Sequence, residues 1–461
     1  MVAVTSYFDI EVGRLMNNMT AGSISKHLVK YTIPLILGNF FQLTYNAVDS
    51  IIVGRYAGKE ALAAVGTANP VMNIMIFFVI GICLGASVLM SEFFGAGDKE
   101  KLKKEVATTL VFGAFFILII SFIGILLSRS ILSIMGVPDE ILSSATSYLQ
   151  IILMGLIFTF FYNAFAAALK SIGDSKTPLI FLAIAAVLNG CLDMVFVAGM
   201  GLGVTGAATA TVIAEAVSAI LCVCYIYKKV PLLSLKLHEL RIETKLLRRT
   251  IHYAWATALQ QSCLYIGKLL IQGVINPLGI DAIATFNAVN RVDDFAFTPQ
   301  QSIAQSVTTF VAQNRGAKKK ERIMKGFHGG IKLEMVYWVF ICAVTYFGAV
   351  PIMRLFATGG ESQIIVMGTS YLHLMAIFYL LPAFTNVIQG FFRGMGNMKI
   401  TLISTTVQMI FRVLAVVILA PRFGMTGVAY ACLIGWVAML LAEVPYYIYY
   451  KRRNELLQTQ S

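Results

Sequence analysis

The stretch Gly95-Ala96-Gly97-Asp98-Lys99-Glu100-Lys101 returns 221 residues later as Gly316-Ala317-Lys318-Lys319-Lys320-Glu321-Arg322. A small-residue turn leading into a charged run, met twice at a fixed spacing, marks a chain built from two copies of one unit. At the same offset Asn69 matches Asn290 and Val71 matches Val292. Thr146-Ser147-Tyr148-Leu149 recurs as Thr369-Ser370-Tyr371-Leu372 at an offset of 223, as Lys170, Gly173 and Lys176 do in Arg393, Gly396 and Lys399. Gly203-Val204-Thr205-Gly206 recurs as Gly424-Met425-Thr426-Gly427, back at 221. Matches in one order that drift by two residues describe a tandem duplication.

Around these repeats the chain is apolar: of its 461 residues 58% are hydrophobic and 13% charged, where a soluble domain carries about a quarter charged. Leu110–Leu127, Leu179–Met200 and Val336–Val350 hold no charge except Asp193, and as helices such runs approach or cross ~30 Å of hydrocarbon. The pattern predicts an all-α integral membrane protein with twelve transmembrane helices at 27–54, 66–95, 105–127, 141–170, 178–200, 205–228, 249–276, 287–315, 326–350, 364–393, 399–420 and 424–450. A transmembrane barrel needs short alternating strands instead. The expected organisation is an N-terminal cytoplasmic segment 1–26, a six-helix lobe 27–228, a cytoplasmic linker 229–248, a second six-helix lobe 249–450 and a cytoplasmic tail 451–461. Six is even, so both lobes start from one side of the membrane and are parallel repeats, a plan that transporters use with a cavity between the halves.

The net charge of +13 would suit nucleic acid, but its placement argues otherwise. With both termini cytoplasmic, most Lys and Arg fall on that side, including Lys99 to Lys104, Lys228, Lys229, Arg248, Arg249, Lys318 to Lys320 and Lys451 to Arg453. This is the positive-inside rule, and the charge orients the chain rather than binding nucleic acid. The seven cysteines fall in predicted helices without disulfide or zinc spacing and read as small packing residues. Residues 1–25 are polar, with Asp9, Glu11 and Arg14, lack the core of a cleavable signal peptide, and are expected to form a short amphipathic cytoplasmic helix.

A carboxylate inside a membrane helix is costly unless paired, neutralised or hydrated, which makes it a functional candidate. Asp49 and Asp193 stand about five and seven residues from the outer ends of their spans, both roughly 10 Å below the boundary at ~1.5 Å per residue. Asn189 is one turn from Asp193 on the same face, and Thr211 and Tyr148 enter at similar depth. Hard oxygen donors of this kind suit a small cation, and a desolvated carboxylate pair also suits a proton. Asp49, Asn189, Asp193 and Thr211 are therefore the expected coupling-ion site for H+ or Na+. If the ion is sodium, the same four residues are its metal ligands, and no other cofactor is expected. Tyr148, Gln42, Glu215, Gln260, Gln261, Gln300 and Gln301 are candidates for a substrate cavity. The second half lacks the set, with Leu270 for Asp49 and Ile410 or Arg412 for Asn189. Its other polar residues include Lys268, Asp293 and Asp294, the two aspartates being expected near the outer end, solvated or facing Arg291. Pro299 is expected to kink the eighth helix.

These residues resemble the multidrug and toxic compound extrusion (MATE) family, in its prokaryotic DinF-like branch. The matching stretches are Ile33-Pro34, Val48-Asp49-Ser50 with Val53-Gly54, Glu60 to Gly66, Leu169 to Pro178, Asn189 with Asp193, and Gly203 to Gly206. The resemblance spans nearly the whole chain. It implies two six-helix lobes, alternating access, and export of organic, often cationic and amphipathic compounds driven by sodium or proton entry. In that branch a first-span aspartate, a fifth-span asparagine and aspartate and a sixth-span threonine bind the ion, the places of Asp49, Asn189, Asp193 and Thr211, with Tyr148 a looser match. The chain departs from the branch that binds its ion in the second lobe, since spans seven and ten hold no carboxylate. The expected setting is the prokaryotic inner membrane, with small organic substrates and the bilayer as partners and a monomer as the working state.

Three rival readings can be weighed against these residues. A lipid-linked saccharide flippase of the same superfamily needs cavity cations for diphosphate, for which Lys268, Arg291 and Arg412 are the candidates. An enzyme is disfavoured, because no histidine lies near the centre of a span and no zinc-type His-Glu motif occurs. A channel would need a pore-loop filter signature that is absent.

Overall fold

The computed structural model describes residues 18–356 and 362–459, nearly all of them helical, with no strand among them. The amphipathic helix expected in the N-terminal segment falls chiefly on residues 1–17, outside the described residues. Seven described runs are long and apolar enough to cross a membrane, and a bent pair makes an eighth. Two of those runs each contain two helices. Ile24–Ile52 (α1) and Gly58–Gly95 (α2) are separated by a π-helical turn, Val53–Ala57, and by Gly58 at φ 90°. The run Met398–Thr459 breaks at Gly424, φ 58°, into α11 and α12.

In between lie α3 (Lys99–Ile134), α4 (Asp139–Ser171), α5 (Lys176–Asp193) and α6 (Gly203–Lys229). They are followed by α7 (Thr244–Ile275), α8 (Ile280–Gly316), α9 (Lys320–Arg354) and the bent α10, Ser362–Phe378 and Leu380–Gly394, whose parts differ by 47°. α7 and α8 have spanning length but more polar faces, which is why they fall outside the apolar runs. Twelve membrane-length helices result among the described residues. α8 continues through Pro299 without losing its helical pattern, and the 47° bend between helices in this half lies in α10.

The chain forms two compact units. The first comprises residues 30–258 with 18–23 and 312–320; the second comprises 259–311 with 24–29 and 321–459. In the first, α4 packs on α2, α3 and α6. Glycines let the helices close up: Gly113 lies against the Phe160 ring and Gly155 against Val212, with no space for a Cβ at either. Small residues serve this purpose where lipid supplies no hydrophobic drive between helices. The second unit has its own core, with Tyr371, Tyr379, Trp436, Val289 and Phe286 buried together.

Candidate functional site

Asp49 and Asp193 each stand within one turn of a π-helical segment that ends their helix. Asp49 lies one turn before the π turn that ends α1, and Asp193 is the last α-helical residue before a second π turn, Met194–Gly199. The two π turns pack against each other and against α6. π turns are rare and occur mostly at functional sites, because the extra residue frees backbone groups and turns a side chain out of register.

The carboxyl groups of these aspartates face each other within hydrogen-bonding reach. Asp193 is fully buried. Both its oxygens and Asp49 Oδ1 are sealed from solvent and take no donor from any other described group. Around the pair, Asn189 Nδ2 donates to Thr211 Oγ1 at 3.3 Å. The buried Tyr148 phenol faces both carboxyls. Tyr45, which the sequence reading passed over, donates to Thr211 Oγ1 at 3.5 Å and faces Asp49 and Glu215. Its signal was available, since Tyr45 sits one turn before Asp49 on the same face. Glu215, one turn beyond Thr211, keeps Oε2 buried and unpartnered. Two facing carboxylates cannot both remain charged out of water without a cation between them. The oxygen donors of Asp49, Asp193, Asn189 and Thr211 can supply a proton or a small hard cation with what it needs.

Of the candidate glutamines, Gln42 belongs to the first unit and Gln260, Gln261, Gln300 and Gln301 to the second. Gln260 is buried in the second unit, donating to Gln389 Oε1 at 3.0 Å and Thr405 Oγ1 at 2.9 Å. Gln300 Nε2 donates to the Tyr379 carbonyl at 3.1 Å. Gln42 and Gln301 are exposed and Gln261 is half-buried. Gln260 and Gln300 thus satisfy donors within the bundle, as a buried amide must, while Gln300 Oε1 is buried without a hydrogen-bond partner among the described residues.

Asp293 corrects an expectation. It is 4% exposed, and takes hydrogen bonds from the hydroxyls of Tyr371, at 2.8 Å, and Tyr379, at 2.5 Å. Arg412 faces it as well. Its neighbour Asp294 is the exposed one and pairs with Lys268 at 3.1 Å. Successive helical residues point about 100° apart, so depth alone misassigned the first of the two. The sequence reading also passed over three buried glutamates. Glu334 has neither carboxyl oxygen partnered, Glu443 accepts from Ser404 Oγ at 2.8 Å, and Glu105 accepts from Thr250 Oγ1 at 2.6 Å. Glu334 and Glu443 fall inside expected spans, and the rule that flagged Asp49 applies equally to them.

The first unit also holds a charged cluster at its basic end. Glu92 Oε2 accepts from Arg249 at 2.9 Å and from Arg315. Lys101, Lys245, Lys318 and Asp98 line the adjoining cavity of about 410 Å³. Cys83, Cys222 and Cys432 are buried, whereas Cys191 and Cys224 are exposed and do not serve as the packing residues expected.

The MatE family model matches residues 34–195 and 256–418, the two repeats in turn. The probable multidrug resistance protein YoeA of Bacillus subtilis is 29% identical, with 81% of this chain and 82% of that protein covered. The probable multidrug resistance protein NorM of Thermotoga maritima is 26% identical, with 90% and 89% covered. Among solved structures, that of a MATE protein in complex with MaL6 superposes with a TM-score of 0.88 at 24% identity, covering 96% of this chain and 99% of that one. This last likeness concerns the fold.

Proposed function

The chain belongs to the MatE family of multidrug efflux transporters, and from that premise we propose that it is a secondary active exporter, antiporting organic, often cationic and amphipathic compounds against H+ or Na+ by alternating access. The observation that carries this reading is the facing of Asp49 and Asp193 at two adjoining π turns. A cation that enters the pair removes its negative charge, and the loss of that charge disfavours a bound cationic drug. Drug and coupling ion therefore compete through electrostatics, which is sufficient for exchange if each favours a different access state.

In this reading Asp49 and Asp193 hold the ion, Asn189 and Thr211 complete its oxygen shell, and Tyr148 with Tyr45 closes the site. If the ion is sodium, these same oxygens are its ligands. The protein works as a monomer in the prokaryotic inner membrane, with both termini cytoplasmic. The relatives above are named as multidrug resistance proteins and neither as a flippase, so the saccharide flippase alternative gains no support.

The test is efflux of a fluorescent cationic dye from proteoliposomes, with sodium and proton gradients imposed separately. Gradient-driven efflux by the parent chain and its loss in Asp49→Asn and Asp193→Asn is the expected result and names the ion. Transport by both variants at the parental rate would sink the scheme.

A further inference from the structure

The cavity of about 410 Å³ beside Glu92 draws its charged lining from four segments that all belong to the first unit. Five cations, Lys101, Lys245, Arg249, Arg315 and Lys318, stand there against two carboxylates, Glu92 and Asp98. Both carboxylates are already engaged. Glu92 Oε2 accepts from Arg249 at 2.9 Å and from Arg315. Asp98 takes the Lys101 ammonium at 2.8 Å and its backbone N–H at 3.0 Å. Lys245 and Lys318 form no ion pair among the described residues. Arg315 is 17% exposed, and its Nε is sealed from solvent without an acceptor among the described groups. The lining thus carries a surplus of positive charge and a buried donor to spare.

Two features separate this cavity from a merely basic face. Arg249 is held between Glu92 and the Phe93 ring, its guanidinium 5.8 Å from the ring centroid, so a planar fork of donors is fixed in place. Lys318 has φ 56° and is the one described residue other than glycine at positive φ. At the offset of 221 the first repeat has Gly97, at φ 73°. A left-handed backbone strains any residue with a Cβ, and such strain gathers at ligand clamps. The positive-inside rule asks only for basic residues near the boundary. Lys319 and Lys320 meet that need next door without a positive φ, so the strained lysine calls for another cause.

We infer that this cavity binds a phosphate group, carried either by an anionic lipid headgroup or by a soluble phosphorylated compound. Guanidiniums pair with phosphate oxygens two at a time, and ammoniums add point charges. Lys245 and Leu246 of the lining lie in the first turn of α7, the positive end of that helix, where anions are favoured. A carboxylate ligand brings one charge and two oxygens; a phosphate monoester brings about −1.5 to −2 at pH 7 and three oxygens, nearer to what the surplus can hold. Basic pockets at the cytoplasmic ends of membrane helices receive lipid headgroups by the same chemistry. A phosphate here ties together α2, α3, the start of α7 and the end of α8, independently of the coupling reading at Asp49 and Asp193.

The experiment follows the thermal midpoint of the purified full-length chain in neutral detergent while inorganic phosphate replaces chloride at constant ionic strength. Phosphate stays at low millimolar levels, below its general stabilising range. The midpoint should rise saturably by a few degrees. Lys245→Gln combined with Lys318→Gly should fold at least as well as the parent in chloride, because glycine relieves the backbone at 318. Its half-saturating phosphate concentration should rise about tenfold or more, since bonds to charged groups are lost. Lys228→Gln combined with Lys229→Gln removes the same charge at the end of α6 and should keep the parental response. A second arm compares phosphatidylcholine nanodiscs with and without phosphatidylglycerol. A midpoint raised by phosphatidylglycerol in the parent and not in the cavity variant, with the response to inorganic phosphate abolished, assigns the site to a lipid headgroup. An undiminished phosphate response in those nanodiscs assigns it to a soluble compound. A parent that responds to neither probe, or a cavity variant that responds as the parent does, overturns the inference. Dye efflux scores the coupling site separately, so either reading can fail alone.

Discussion

Gly95 rests on the backbone of Gln313, and its repeat counterpart Gly316 rests on the backbone of Glu92, so that neither has room for a Cβ. Glu92 and Gln313 are themselves 221 residues apart, and α2 and the segment 313–316 therefore meet within the first unit through the same contact made twice. Gly95→Ala and Gly316→Ala should each cost about 1–3 kcal/mol by overpacking, read as a lower thermal midpoint. Gly66→Ala, in open space on α2, should be neutral or slightly stabilising. An unchanged midpoint in Gly95→Ala would contradict the close contact.

Glu92 balances two arginines, Arg249 and Arg315, all three being half-buried or nearly so. Glu92→Gln should leave two guanidiniums facing each other and lower stability by about 1–2 kcal/mol, with the deficit shrinking in high salt because part of it is screened repulsion. Urea or thermal unfolding at two ionic strengths checks both.

Thr211 receives hydrogen bonds from Asn189 and Tyr45. Thr211→Val preserves shape and removes that oxygen. The half-saturating concentration of the coupling cation should rise about tenfold, since one bond of this kind is worth about 1.4 kcal/mol. Dye efflux against cation concentration measures it, and an unchanged half-saturation would remove Thr211 from the ion's shell.

Gly424 combines φ 58° with ψ −136° and has nothing within 4 Å of a would-be Cβ. Any cost of substitution is therefore backbone strain, about 1–3 kcal/mol. Gly424→Asn should fare no better than Gly424→Ala, because asparagine's tolerance is for the left-handed helical region, where ψ is positive. Comparison of the two midpoints tests this.

Asp98 lies between α2 and α3, outside the spans. Lys101 beside it, through its ammonium at 2.8 Å and its backbone N–H at 3.0 Å, holds the carboxyl below its ordinary value. A lowered value in the folded chain means stability that is present above the unfolded value of about 3.9 and lost as pH falls through the folded one. Asp98→Asn should lower the midpoint slightly at pH 7, and the gap should close in acid. A gap constant across that range would show that charge is not the cause.

The helices and their duplication were legible because apolar run length and repeated turn residues are local properties of the chain. Asp49 and Asp193 were legible as a pair because each interrupts such a run, and their depth could be counted. Their surroundings were less so. Tyr45 and the Asp293 cluster depend on which face of a helix meets which neighbour: Tyr371 and Tyr379 come from a helix some 80 residues from Asp293 in sequence. The partners of Gln260 were hidden for the same reason, since Gln389 and Thr405 lie far along the chain.

Each π turn, Val53–Ala57 and Met194–Gly199, carries a residue beyond what an α-helical turn needs, and one residue corresponds to about 100° of rotation. A single helical wheel drawn through 24–57 or 176–199 is consequently out of phase on one side of the aspartate. Two positions that share a stripe on such a wheel point in different directions in the molecule. Variant libraries aimed at the stretches beyond these turns must take their angular origin from Gly58 and Gly203, and a one-residue deletion in either turn amounts to re-aiming the whole segment that follows.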